Sequence, residues 1–140
     1  MIVDASVWVA SVLNEDVHHE VSLAFMHRFV KERQIATVPL LVWAEIAGAV
    51  ARRTSDTDKG LKVAGLISSQ NWVKGVPLDA SLASESMRLA AKLRLRGADA
   101  VYVALSATCR EPLITLDAEM LERAHGEAEA LTPEMWLQTR

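Results

Sequence analysis

Four acidic residues of this 140-residue chain stand where ordinary surface charges do not belong. Asp4 closes the apolar run Met1-Ile2-Val3, and Glu45 lies inside Val42-Trp43-Ala44-Glu45-Ile46-Ala47-Gly48-Ala49-Val50. Asp99 opens the apolar stretch from Ala98 to Arg110, and Asp117 follows Leu113-Ile114-Thr115-Leu116. Taken singly, each has an ordinary reading. Asp4 or Ser6 would cap a helix over Val7 to Leu13, Asp99 and Asp117 are placed as N-caps, and Glu45 would sit on an exposed stripe or pair with Arg52 two turns later. Taken together, they form a set of two strand ends and two apolar helices that would converge at one rim of a sheet. Four carboxylates in one place repel one another, and a buried carboxylate without a partner costs several kcal/mol.

Hard divalent cations resolve that repulsion. Mg²⁺ and Mn²⁺ prefer oxygen ligands, and Mg²⁺ is commonly held by one or two carboxylates together with water and substrate phosphate. Zinc has no comparable donor set here. His18 and His19 are adjacent, His27 and His125 are remote, and Cys109 is the only cysteine, which is expected to be a small core residue. The expected cofactor is therefore Mg²⁺ or Mn²⁺, with Asp4, Glu45, Asp99 and Asp117 as its ligands.

The elements that must position these acids alternate. The first strand ends at Asp4 and a short helix follows. Val17 to Arg33 is helical, with Phe25 and Phe29 inward, and Ile35 to Val38 is a strand stopped by Pro39. Helices are predicted over Leu40 to Arg53 and Thr57 to Asn71, the second with Leu61, Ala64 and Ile67 inward. Trp72 to Pro77 is a third strand, and a helix runs from Asp79 or Ser81 to Arg94, with Gly97 marking its end as a left-handed residue. A helix over Ala98 to Arg110, a strand over Leu113 to Leu116, a short helix over Ala118 to Ala124 and a strand over Ala128 to Leu131 come next. Pro133 opens the last helix. This order predicts an α/β domain with a mainly parallel central sheet of four to five strands and helices on both faces.

Composition sets bounds on the rest. The chain has the length of one domain, taken as residues 1–140, and 51% hydrophobic residues can fill its core. The apolar stretches are broken by Asp4, Pro39, Glu45 and Asp99, so no membrane span is expected, and the start lacks the basic segment of a signal peptide. A soluble cytoplasmic protein is the expectation. The net charge of −3 argues against a nucleic-acid partner on its face. Bound divalent ions would offset it, however, and Arg52-Arg53 and Lys92, Arg94 and Arg96 flank the acids. Arg52, seven residues after Glu45 and so on the same helical face, is the candidate for binding a phosphate.

Four segments carry a family resemblance: Ile2-Val3-Asp4-Ala5-Ser6, Pro39-Leu40-Leu41-Val42-Trp43-Ala44-Glu45, Leu95-Arg96-Gly97-Ala98-Asp99-Ala100-Val101-Tyr102-Val103-Ala104-Leu105 and Leu113-Ile114-Thr115-Leu116-Asp117. In this order they resemble the signature blocks of the PIN-domain ribonucleases, and more narrowly of the VapC-type toxins of toxin-antitoxin pairs. The resemblance implies a metal-dependent endoribonuclease in which Asp4, Glu45, Asp99 and Asp117 are the acidic positions and Ser6 and Thr115 are supporting hydroxyls. It also implies an RNA substrate, a cognate antitoxin seated near the acids and a homodimer. Hydrolysis by a metal-activated water would leave a 5′-phosphate and a 3′-hydroxyl.

Rival readings fit less well. A phospho-acceptor receiver module wants an acidic pair after the first strand and a late Lys, and a haloacid-dehalogenase-like phosphatase wants Asp-x-Asp where this chain has Asp4-Ala5-Ser6. Within the resemblance, a housekeeping RNA-processing nuclease and a non-catalytic PIN-like binding protein stay open.

Overall fold

The structure is a computed structural model that describes residues 1–139. In chain order its elements are β1 (Ile2–Val3), α1 (Ala5–Val12), α2 (His19–Lys31), β2 (Ala36–Pro39), α3 (Val42–Thr54), α4 (Thr57–Ser68) and β3 (Val73–Val76). They continue with α5 (Ala80–Leu93), α6 (Gly97–Cys109), β4 (Leu113–Ile114), α7 (Ala118–Arg123), β5 (Ala130–Leu131) and α8 (Pro133–Gln138). The strands form one parallel sheet in the order β3-β2-β1-β4-β5, as the alternation of elements predicts. The chain winds outward from β1 to β3, then crosses back to place β4 on the other side of β1. With right-handed crossovers this reversal assigns α1 to α4 to one face and α5 to α7 to the other. It also opens a crevice beyond the carboxyl ends of β1 and β4, where such sheets bind ligands.

Burial explains which residues build the sheet. β1, β2 and β4 are buried along their whole length, as strands covered on both faces must be. Pro39 is accommodated at the end of β2, which extends one residue beyond its expected stop. It has no N–H to give β1, and the Val3 carbonyl it would otherwise have met takes the indole N–H of Trp8 at 3.2 Å instead. An aromatic cluster closes the core under α2: Phe25 meets Trp136 edge-on at 5.0 Å, and Phe29 and Trp8 both lie against Trp72.

Several local expectations are corrected. Gly97 does not end α5; it is the first residue of α6, and Arg94 takes the left-handed conformation at φ 54°. The reason lies in Leu95, which is buried and returns its N–H to the Ala90 carbonyl, so the reversal has to occur just before it. Cys109 is exposed at the end of α6, and Leu61 points outward from α4, whose buried contacts are Gly60 and Ala64. The α3 helix, apolar on nearly all sides, is fully buried on one stripe only, through Val42, Ile46 and Val50.

Gly60 sets how closely α4 approaches α3, the helix that carries Glu45. A Cβ at Gly60 would stand 2.4 Å from the Ala47 carbonyl oxygen and 3.0 Å from the Ala51 Cβ, whereas one at Gly65 meets nothing within 4 Å. Gly60→Ala is expected to destabilise the fold by about 1–3 kcal/mol through overpacking, against its gain in helix propensity. Gly65→Ala is expected to stabilise it by about 0.5–1 kcal/mol. Urea denaturation of the two variants checks both signs, and equal effects would show that the α3–α4 contact is not tight.

Candidate active site

The four sequence-predicted acids come together. Asp4, Glu45, Asp99 and Asp117 line one open cleft of about 700 Å³ at the carboxyl ends of β1 and β4. Each arrives by a different route. Asp4 directly follows β1 and is the N-cap of α1, so strand and helix fix its backbone from both sides. Asp117 follows β4 and caps α7, its Oδ1 accepting the Met120 N–H at 2.9 Å. Glu45 projects from the first turn of α3. Asp99 stands in the first turn of α6 without capping it, where the helix dipole favours a negative charge.

Two hydroxyls bind the ends of β1 and β4 to one carboxylate. Ser6 and Thr115 both donate to Asp4 Oδ2, the second at 3.0 Å. Each hydroxyl in turn accepts a backbone N–H from the β4 side: Ser6 Oγ from Leu116 at 3.1 Å and Thr115 Oγ1 from Asp117 at 3.0 Å. Ser6 thus hydrogen-bonds the first acid, while Thr115, which the resemblance pairs with the fourth, also donates to the first and meets Asp117 only through that residue's backbone N–H. Asp4 Oδ1 has no donor among the described residues.

The other acids are held by Tyr102, for which no role was expected, and by Arg96, which was expected only to flank them. Tyr102 donates its buried phenolic O–H to Glu45, replacing the pairing with Arg52 that spacing allowed. Arg96 spans two acids, with Nε at 2.9 Å from Asp99 Oδ2 and Nη2 at 3.2 Å from Asp117 Oδ2. A signal for both was present, since residues 96, 99 and 102 are three apart and share one face of α6. Arg52 lines the cleft, as does Arg53, which pairs with Asp16 at 2.5 Å. The guanidinium of Arg52 lies back over Gly48, where a Cβ would stand 3.1 Å from its Nη1. Lys92, expected near the acids, instead pairs with Glu127, and neither Lys92 nor Arg94 lines the cleft. Exposed His18 stands at the edge of the cleft.

Burial and mutual repulsion shape the charges. Burial pushes the Asp4 carboxyl above its usual range, against the hydrogen bonds from Ser6 and Thr115, and the Asp99 charge adds to the rise. Glu45 is raised by burial, opposed by the Tyr102 hydrogen bond and reinforced by the charges of Asp4 and Asp99. Burial also raises Asp99, although Arg96 pulls it down. Burial and the neighbouring Asp4 and Glu45 charges push the Tyr102 phenol well above its normal value, so it stays a donor. The donor set is all oxygen, which suits a hard cation. As the side chains stand, no three acidic, His or Cys side chains among the described residues are gathered tightly enough to hold an ion. Arg96 and Tyr102 hold oxygens of three of the four acids.

A carboxyl raised in the folded state binds protons more tightly there than in the unfolded chain. Its ionisation therefore weakens the fold as pH rises through the folded-state value, and the loss disappears in acid. Asp4→Asn is expected to raise the metal-free stability at pH 7.5 by about 0.5–2 kcal/mol, with a smaller gain at about pH 4. Thermal denaturation of both proteins in EDTA at the two pH values checks this, and a gain that grows in acid would contradict it.

Solved structures share this architecture. The sarcin-ricin loop cleaving toxin VapC20 of Mycobacterium tuberculosis superposes with a TM-score of 0.74 at 18% identity, over 91% of this chain and 96% of that one. FitAcB of Neisseria gonorrhoeae gives a TM-score of 0.72 at 14% identity over 95% and 97%. A toxin-antitoxin complex from Klebsiella pneumoniae gives 0.69 at 15% over 94% and 96%. At such identities these likenesses establish the fold. No curated sequence matches the chain. The PIN domain family matches residues 1–126, which include all four acids and both supporting hydroxyls, and the chain belongs to that family.

Proposed function

We propose that this PIN domain is a metal-dependent endoribonuclease that acts as the toxin of a VapBC-type toxin-antitoxin pair. The observation that carries the reading is the convergence of Asp4, Glu45, Asp99 and Asp117 on one cleft at the reversal point of the sheet. The toxin and toxin-antitoxin structures that share the fold support the biological role. In this reading the substrate is RNA, the partner is a cognate antitoxin and the assembly is a homodimer.

The residues divide the work. Asp4, Glu45, Asp99 and Asp117 would hold Mg²⁺ or Mn²⁺, with Asp4 offering the oxygen that Ser6 and Thr115 leave unoccupied. When bound, such an ion lowers the pKa of water and stabilises charge on the scissile phosphate. Ser6 and Thr115 orient Asp4, and Tyr102 orients Glu45. The Ser6 hydroxyl donates to Asp4 and accepts the Leu116 N–H, which assigns it to orienting that acid, and water is the attacking group in this reading. Arg52, at the cleft wall and without an ion pair among the described residues, is the group for an RNA phosphate.

Cleavage of a mixed structured RNA by the purified protein tests the reading. Mn²⁺- or Mg²⁺-dependent cutting is expected, with 5′-phosphate and 3′-hydroxyl ends. Asp4→Asn and Asp99→Asn are each expected to reduce it by more than about 100-fold, beyond the usual cost of losing a group behind the metal ligands. Ser6→Ala, which removes such a group, is expected to cost about 10–100-fold. Cutting that survives EDTA, or cyclic phosphate ends, would overturn the mechanism.

A further inference from the structure

Arg96 is the one cation in direct contact with two of the four acids among the described residues. Its side chain is 72% exposed, yet the guanidinium reaches inward across the cleft to Asp99 and Asp117, which come from α6 and the end of β4. The contact to Asp117 uses Oδ2, while Oδ1 stays committed to capping α7. A cation that drew on Asp117 would have to take this same Oδ2 or unseat the α7 cap, and at Asp99 it would compete for the carboxylate whose Oδ2 Arg96 already holds. The contact is also easily given up, because an exposed ion pair in water is weakly held.

We propose that Arg96 is a built-in competitor of the divalent ion: it bridges Asp99 and Asp117 in the metal-free protein and must be displaced for both acids to serve an ion. The inference rests on the metal-dependent reading above. Without Arg96, no side-chain cation among the described residues would contact the four acids, whose side-chain donors would be Tyr102, Ser6 and Thr115 alone. Arg96 therefore steadies the metal-free protein and lowers its affinity for the ion, which makes it a positioning residue of the metal site.

Mn²⁺ affinity measured by electron paramagnetic resonance tests this directly, with thermal denaturation in EDTA and in Mn²⁺ as a second readout. Arg96→Gln is expected to bind Mn²⁺ about threefold to tenfold tighter than the unmodified protein, the range that loss of two exposed ion pairs implies. It is expected to melt lower in EDTA and to gain more from Mn²⁺. Arg96→Lys, which keeps the charge but cannot span both acids as a planar fork, is expected to fall between the two. Arg52→Gln removes a charge from the same cleft without an acid contact and is expected to change Mn²⁺ affinity less than about twofold. Equal or weaker Mn²⁺ binding by Arg96→Gln would overturn the proposal, as would equal tightening by Arg52→Gln, which would reduce the effect to net charge. If Arg96→Gln does not fold, affinity for Arg96→Lys no tighter than that of the unmodified protein would overturn it equally. Absence of Mn²⁺ binding by the unmodified protein would overturn the metal-dependent reading and this proposal together, so the two failures are distinguishable.

Discussion

The constraint on which the site depends is the burial of one carboxylate, Asp4, between the ends of two adjacent parallel strands. A carboxylate there is unfavourable unless its lone pairs are met, and Ser6 and Thr115 both donate to its Oδ2. Those hydroxyls also take the backbone N–H groups of Leu116 and Asp117, which β4 leaves unpaired where it ends at Ile114. One acid, two hydroxyls and two amides thus fix where β1 ends relative to β4. The position of Asp117 follows from the same bonds, because its backbone is tied to Thr115.

The α6 helix adds a second layer. Arg96, Asp99 and Tyr102 are one turn apart on a single face, and each touches an acid or is one. The helix is nearly all buried behind them, from Ala100 to Ser106, and it touches β1, β2 and β4. A surface helix would let these three side chains wander. Held against the sheet, it brings a cation and a phenol to a cluster that would otherwise contain little but negative charge. The raised carboxyls of Asp4, Glu45 and Asp99 show that these donors compensate burial and repulsion only in part. Stability is given up at the site and recovered in the aromatic and aliphatic core beneath α2 and α6, a common division in sites that gather like charges.

Much of this was legible in the residues themselves. The strand and helix alternation, the parallel sheet and the burial of Asp4 and Asp99 follow from short apolar runs and from acids placed at their ends. The hydroxyls Ser6 and Thr115 were expected only through the family resemblance of the segments that carry them. Turn and cap details were less legible. Gly97 suggested a left-handed helix end, but the need to bury Leu95 moved that conformation to Arg94, a residue with no intrinsic preference for it. Cys109 and Leu61 illustrate the same limit. Periodicity says that a helix has an inner face, and only packing against its neighbours says which residues at the margin belong to it.

The sequence by itself determined which side chains can do chemistry and the order of the elements that carry them, because both depend on residue type and local spacing. Tertiary structure alone decided the pairings. Glu45 and Tyr102 are separated by 57 residues, Asp4 and Thr115 by 111, and Arg96 and Asp117 by 21. Contacts at such separations arise from the reversal of strand order at β1, which brings the ends of β1 and β4 and the first turns of α3 and α6 to one rim. No local pattern encodes that meeting; it is a property of how the whole sheet is wound.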